Sequence, residues 1–368
     1  MSRKYAMMEE IKEQSTLLRK IFANRKELCK DFVALDQKHQ FKKIIFVGNG
    51  SPYYAGCILK FAAEKLLKAE SESIPAGVFR NHAEFNVSGE FLKSEILLVC
   101  PAESGHSKGQ VDAARRAKKE GISVMSTTLN PKGILARTTD IVLAKLGKHE
   151  IAMASTKGQT MAIYMIFLNF LESAFARNLI SDKEYQVYLN ACERLPENVE
   201  NIIKDTTEWF EKNKTFVMNA PQYFLIGYGA NYGTVQEAGL KFFECHGKPT
   251  FPLELEESLH GPFRALHKED VIFFLAAEDG AEKKRMLQLA DALNEYCEHR
   301  IVIANQSDKQ VWENELKIHG SNIEFVNTIE YLTGLQTLSF LIANEMGIDL
   351  SKPLVASLDD KMHPAYED

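Results

Sequence analysis

Two stretches of this chain read alike although they lie about half its length apart. Lys42–Gly56 is KKIIFVGNGSPYYAG, and Pro221–Gly239 is PQYFLIGYGANYGTVQEAG. Each is a β-branched and aromatic run, then Gly-x-Gly, then a small or polar residue, then a helix-like pattern. Gly48 and Gly50 correspond to Gly227 and Gly229. Self-similarity of this kind points to duplicated α/β domains.

The alternation continues within each copy. In the first, Glu95–Cys100 reads as a strand, Gln110–Glu120 as a helix, Ser123–Ser126 as a strand and Asp140–Ala144 as another. In the second, Val271–Ala276, Ile301–Ala304 and Ile323–Val326 read as strands, with helices over Glu282–Glu298 and Glu330–Ala343. Short loops in a βαβαβ order imply a parallel sheet covered by helices on both faces. The expected fold class is α/β, with three α/β/α layers of flavodoxin or Rossmann type in each copy. The expected boundaries are a helical segment at 1–36, a first domain at 37–180, a helical connector at 181–213, a second domain at 214–350 and a tail at 351–368.

Composition narrows the function. A net charge of −6 with scattered basic residues argues against nucleic acid as the main partner. The six cysteines form no CxxC pair and sit in apolar or helical contexts, which suits reduced thiols in the cytoplasm. The charged start, MSRKYAMMEEIKEQ, is no signal peptide. The longest apolar run, Met161–Leu171, is too short to span a bilayer and reads as a buried helix.

In open parallel sheets, ligands bind beyond the carboxyl ends of the strands. Three loops there carry small or hydroxyl-bearing residues: Gly48-Asn49-Gly50-Ser51, Glu103-Ser104-Gly105-His106-Ser107 and Ala154-Ser155-Thr156-Lys157. Hydroxyls and free N–H groups at helix starts suit a phosphate. The first loop lacks the Walker pattern, and Tyr53 stands where GxGxxG needs its third glycine, so neither a nucleotide triphosphate nor a dinucleotide is expected. No His/Cys/Asp/Glu set has metal-ligand spacing, and no cofactor is expected. His106, His149 and His246 read as structural.

The chemistry concentrates in Glu237–Pro262. Glu237, Lys241 and Glu244 are spaced i, i+4, i+7 and share one helix face. Such pairs also decorate exposed helices, so spacing alone leaves both readings open. Beyond them, His260-Gly261-Pro262 sets a histidine at a sharp stop.

Taken together, these motifs resemble the sugar isomerase (SIS) domain family in its tandem form, as in the isomerase half of glucosamine-6-phosphate synthase and in fructosamine-6-phosphate deglycases. The resemblance runs from about Met8 to Pro353. It rests on Glu10-Ile11-x-Glu13-Gln14, Gly48-x-Gly50-Ser51-x-Tyr53, Glu103-Ser104-Gly105, Glu150-Ile151-x-Met153-Ala154-Ser155-Thr156-Lys157, Glu237-x₃-Lys241-x₂-Glu244 and His260-Gly261-Pro262. It implies phosphate binding by Ser104 and Ser107 with Ser51 nearby, and places Met153 and Ser155 beside the sugar. It makes Glu244 the base between C1 and C2, His260 the ring-opening histidine, and Lys241 and Glu237 its ionisable companions. In relatives that histidine belongs to a neighbouring subunit, so a homodimer or higher homo-oligomer is implied.

Three departures matter. The family loop reads Ser-Gln-Ser-Gly-Glu-Thr, whereas Ala102-Glu103-Ser104-Gly105-His106-Ser107 loses a hydroxyl and gains an acid. Glu103 either weakens phosphate affinity or pairs with a substrate amine. The synthases' Schiff-base lysine aligns with Leu358, and Lys361 substitutes only if the tail shifts. With the sequence starting Met1-Ser2, neither a glutaminase domain nor an N-terminal cysteine nucleophile is expected. These departures favour an enzyme that releases the amine from an amino-sugar or fructosamine 6-phosphate. The alternatives are ketose–aldose isomerisation, ammonia-dependent formation of glucosamine 6-phosphate, and a non-catalytic sugar-phosphate sensor.

Overall fold

The computed structural model describes residues 5–309, 312, 314–352 and 361–367. The chain divides into two compact units. One draws on Leu17–His149, Lys157–Leu189 and Pro353–Asp368, the other on Met1–Thr16, Glu150–Thr156 and Asn190–Lys352. Each is built on a parallel sheet of five strands.

The first sheet runs β2 (Glu70–Pro75), β1 (Lys43–Gly48), β3 (Ile96–Cys100), β4 (Ser123–Thr128), β5 (Ile141–Ala144). Its central strands β1 and β3 are apolar on both faces because both faces are covered. Ile45, Val47, Ile96, Leu98 and Cys100 pack in one core with residues of α4 (Ala76–His82) and α5 (Lys108–Glu120). On β1 the alternate residues face the other way, where Phe46 meets Phe170 of α6 (Lys157–Ala176) edge-on, with ring centroids 6.2 Å apart. Helix α6 packs against α2 (Arg25–His39) and α3 (Ser51–Ala62). It is buried on every side from Lys157 to Ala174, which is why Met161–Leu171 shows no amphipathic period.

The second sheet runs β10 (Glu315–Ile318), β9 (His299–Asn305), β8 (Val271–Ala276), β6 (Tyr223–Gly227), β7 (Thr250–Glu254). Counted from its own first strand, this order matches the first sheet, so the two units share one topology. In both, the chain reverses direction across the sheet at the first strand, and the loops after the first and third strands lie beside that switch point. Helix α8 (Ala230–His246) packs on β6 and β7 and against α10 (Val326–Glu345). Helix α9 (Ala281–Ala292) covers β8. Helices α1 (Ala6–Ala23) and α7 (Asp182–Asn219) complete the described helices, none of which is long and apolar enough to cross a membrane.

One expected strand is absent. Ile323–Val326 is a turn entering α10, and the sheet's last strand is instead Glu315–Ile318. Asn322 and Phe325 both take positive φ, at 52° and 71°, a conformation no strand accommodates. The helix expected over Glu282–Glu298 ends at Ala292, followed by a 3₁₀ turn at Leu293–Glu295.

Candidate active site

In the first unit the loops at the carboxyl ends of β1 and β3 are shaped by glycine. Gly50 precedes α3 with φ 60°, and Gly229 precedes α8 with φ 52°, so the repeated Gly-x-Gly makes the same turn twice. Ser51 opens α3, and its carbonyl accepts a hydrogen bond from Gln159 at 2.8 Å. The loop after β3 folds on itself: the His106 N–H donates to the Ser104 hydroxyl at 3.3 Å, and Gly105 turns with φ 76°. Ser107 is the N-cap of α5, with its side chain making no cap hydrogen bond. These serines therefore lie at helix starts or in a tight turn, where backbone N–H groups favour an anion.

Glu103 is held from several sides. Its carbonyl accepts from Leu129 N–H at 2.9 Å and from the Thr128 hydroxyl at 3.3 Å. Its carboxylate takes the Lys145 ammonium at 2.5 Å. The loop also meets the chain's tail. The Lys108 N–H donates to Pro364 C=O at 3.0 Å, and the Tyr366 N–H donates to His106 C=O at 2.9 Å. Ser107 and Ala365 form an antiparallel bridge, and the Tyr366 hydroxyl donates to Asp112 at 2.7 Å. Leu358 lies outside the described residues, and Lys361 is exposed.

In the second unit the segment 150–156 is organised by two carboxylates. Glu10 accepts the N–H groups of Ile151 and Ala152. Glu150 accepts the Ser155 hydroxyl at 2.8 Å, and also the N–H and hydroxyl of Thr156. Met153 is half exposed, with its N–H on Leu350 C=O at 2.9 Å. Glu10 and Glu150 stood in the sequence motifs, but their clamping role shows only in three dimensions.

Helix α8 carries the ionisable group. The Lys241 ammonium lies 3.4 Å from Glu237 and 2.5 Å from Glu244. Glu237 and Lys241 have side chains at 0% exposure, while that of Glu244 is 34% exposed. Burial pushes the Lys241 pKa down, but the Coulombic pull of Glu237 and Glu244 outweighs it and holds the ammonium above its ordinary value. The cation is thus shut away from solvent and serves to orient Glu244, whose carboxylate alone of the three reaches the surface.

The neighbours of this group are inert. Burial raises the Cys245 thiol to about 12. Burial, aided by the nearby Lys248 charge, lowers His246 to about 3 and keeps it neutral. His260 follows a 3₁₀ turn at Glu257–Leu259 and precedes Gly261, whose φ is 126°. It is exposed, and among the described residues its side chain makes no hydrogen bond or ion pair.

A SIS domain model matches residues 217–341. Over 94% of its length the chain is 24% identical to a glutamine–fructose-6-phosphate aminotransferase (isomerizing) of Clostridium tetani, and it spans 57% of that protein. Its fold matches the C-terminal domain of glucosamine-fructose-6-phosphate aminotransferase from Francisella tularensis with a TM-score of 0.83, at 22% identity, covering 95% of this chain and 98% of that one. It also matches a glucosamine-6-phosphate deaminase of Thermotoga maritima, with a TM-score of 0.72 and 20% identity over 95% of this chain and 97% of the other. Residues 217–341 thus match a SIS domain, and they lie in the second of two units whose five-stranded parallel sheets share one topology.

Proposed function

We propose that the chain is an enzyme acting on an amino-sugar or fructosamine 6-phosphate, moving a proton between C1 and C2 and releasing the amine. The observation that carries this is the group on α8: a fully buried ammonium, a buried carboxylate, and one carboxylate left partly open beside them. A sensor needs no such base. Ser104, Ser107 and Ser51 stand at the helix starts and turn that suit the phosphate, and Ser155 and Met153 lie in the segment assigned to the sugar.

For an open-chain fructosamine 6-phosphate, Glu244 takes a proton from C1, the C1–C2 enaminol forms, and the proton returns at C2. The product is an imine at C1 with a hydroxyl at C2. Water adds at C1 and the C–N bond breaks, giving the aldose 6-phosphate and a free amine. Neither step needs a lysine Schiff base, which agrees with a leucine at position 358. His260 assists ring opening, and its exposed imidazole suits action in a second copy of the chain.

A second reading keeps a Schiff-base lysine. Lys361 lies three residues before Pro364, whose carbonyl is bonded to the phosphate loop at Lys108. Borohydride trapping of substrate on Lys361 would establish it.

The deciding experiment is NMR in D₂O with fructoselysine 6-phosphate, other fructosamine 6-phosphates, glucosamine 6-phosphate and fructose 6-phosphate. Amine release with deuterium at C1 or C2 is the expected result. Exchange or interconversion without amine loss would make the protein an isomerase. Binding without exchange on every substrate would leave a sensor.

A further inference from the structure

We infer that Lys145 is a positioning residue for phosphate recognition, one that holds Glu103 as an ion pair so that the loop at 102–107 can accept a dianion. This rests on the reading of that loop as the phosphate site.

Glu103 is the one carboxylate within Ala102–Ser107. Left unpaired, it would repel a phosphate through a medium of low effective dielectric. Lys145 directly follows β5, at the sheet's carboxyl edge, and its side chain is 3% exposed against 30% for Glu103. A buried ammonium needs a partner, and the 2.5 Å contact supplies it. The pair is built into the surrounding elements. Gly158, in the first turn of α6, leaves room for the carboxylate: a Cβ there would come 2.3 Å from Glu103 Oε2. The positive end of α6 adds to the field that keeps Glu103 in place. The backbone of the same residue is pinned to the end of β4 through Thr128 and Leu129. One residue therefore ties the loop to β4, β5 and α6, and its charge is neutralised where the phosphate would sit.

The test is calorimetric titration of the full chain with glucosamine 6-phosphate and with inorganic phosphate. The proteins compared are wild type, Lys145→Met, Glu103→Gln and the double variant. Lys145→Met should weaken both ligands by about 10- to 100-fold, because it bares the Glu103 charge. The loss should grow as pH rises through about 6, where a phosphate monoester takes its second charge; a merely structural role would not follow the ligand's charge. The double variant should return to within about threefold of wild type, the signature of coupled sites. If Lys145→Met fails to fold, the double variant decides alone: near-normal affinity upholds the inference, and weak affinity overturns it. A Lys145→Met protein that binds like wild type, or a double variant no better than the single, overturns it while leaving the loop's role intact. A wild type that binds neither probe overturns the phosphate reading and this inference together.

Discussion

The two units share a topology and a Gly-x-Gly turn, yet they carry different chemistry at equivalent places. The offset that aligns Gly48 with Gly227 pairs Glu237, Lys241 and Glu244 with Ile58, Ala62 and Lys65. Ile58 and Ala62 are buried apolar residues. The first unit thus packs hydrocarbon where the second buries an ion group. The loops after the third strands differ in the opposite sense. After β3 come Ser104, Gly105 and Ser107; after β8 come Glu278 and Asp279. Burial, with Glu324 and Glu282 adding to it against an Asn327 hydrogen bond, holds Glu278 above the usual carboxylate range. A loop of that kind offers a phosphate two acids and no serine. On the proposed function, one unit is suited to the anion and the other to proton transfer.

The largest effect should come from removing the base. Glu244→Gln should lower turnover by about 10²- to 10⁴-fold with sugar-phosphate affinity kept, as measured by deuterium exchange beside calorimetry. Normal exchange would take the proton chemistry away from α8. Next comes Lys241→Met, which strands Glu237 at 0% exposure without its cation. Loss of one partner from a buried pair costs about 3–5 kcal/mol, and thermal melting should show it. The sign of the pH dependence is fixed by the raised pKa. The stabilisation is fully present below about pH 10.4, the ordinary unfolded value, and fades only as pH climbs through the native one.

Strands β1, β3, β6 and β8, at the centres of the two sheets, were legible because they are apolar runs buried on both faces. Among the edge strands β5 was legible, as Asp140–Ala144, but β2 and β7 were not. β2 is Glu-Ser-Glu-Ser-Ile-Pro, and β7 holds Pro252, which only an edge strand tolerates. Their pairing is set by a neighbour's hydrogen bonds and leaves little pattern in the residues themselves. On the site, the spacing of Glu237, Lys241 and Glu244 already gave a shared face, but not the complete burial of Glu237 and Lys241. Lys145 gave no signal, since a lysine after a short strand usually faces water. Its position at the carboxyl edge of β5 was the available clue.

Two smaller tests sharpen the contrast between units. Gly158→Ala should displace the Glu103 carboxylate and weaken phosphate binding about tenfold, with α8 chemistry unaffected at saturation. His246 corresponds to Leu67 in the first unit, and both are buried. Its native pKa of about 3 lies below the ordinary 6.5. Between those values the unfolded chain binds the extra proton, so stability is full above pH 6.5 and falls as pH drops toward 3. His246→Leu should remove that slope, about 1.4 kcal/mol per pH unit at its steepest, in chemical denaturation measured from pH 7 to pH 4.

The smallest expected effect is the most direct check on the division of labour. Asp279 belongs to the loop after β8 and pairs with Lys283 at 2.9 Å, with its own side chain 86% exposed. Lys283 keeps a second partner in Asp308, also at 2.9 Å. Asp279→Asn should therefore change stability by less than about 0.5 kcal/mol, as exposed pairs do. If phosphate recognition belongs to the first unit alone, the variant should bind sugar phosphate within about twofold of wild type, for it neither adds nor removes a donor at Ala102–Ser107. A clear gain in affinity on removing this one carboxylate would show that the second loop repels a phosphate it actually meets. The acidic sequence after β8 would then be a selectivity element of the second unit rather than a lost phosphate loop.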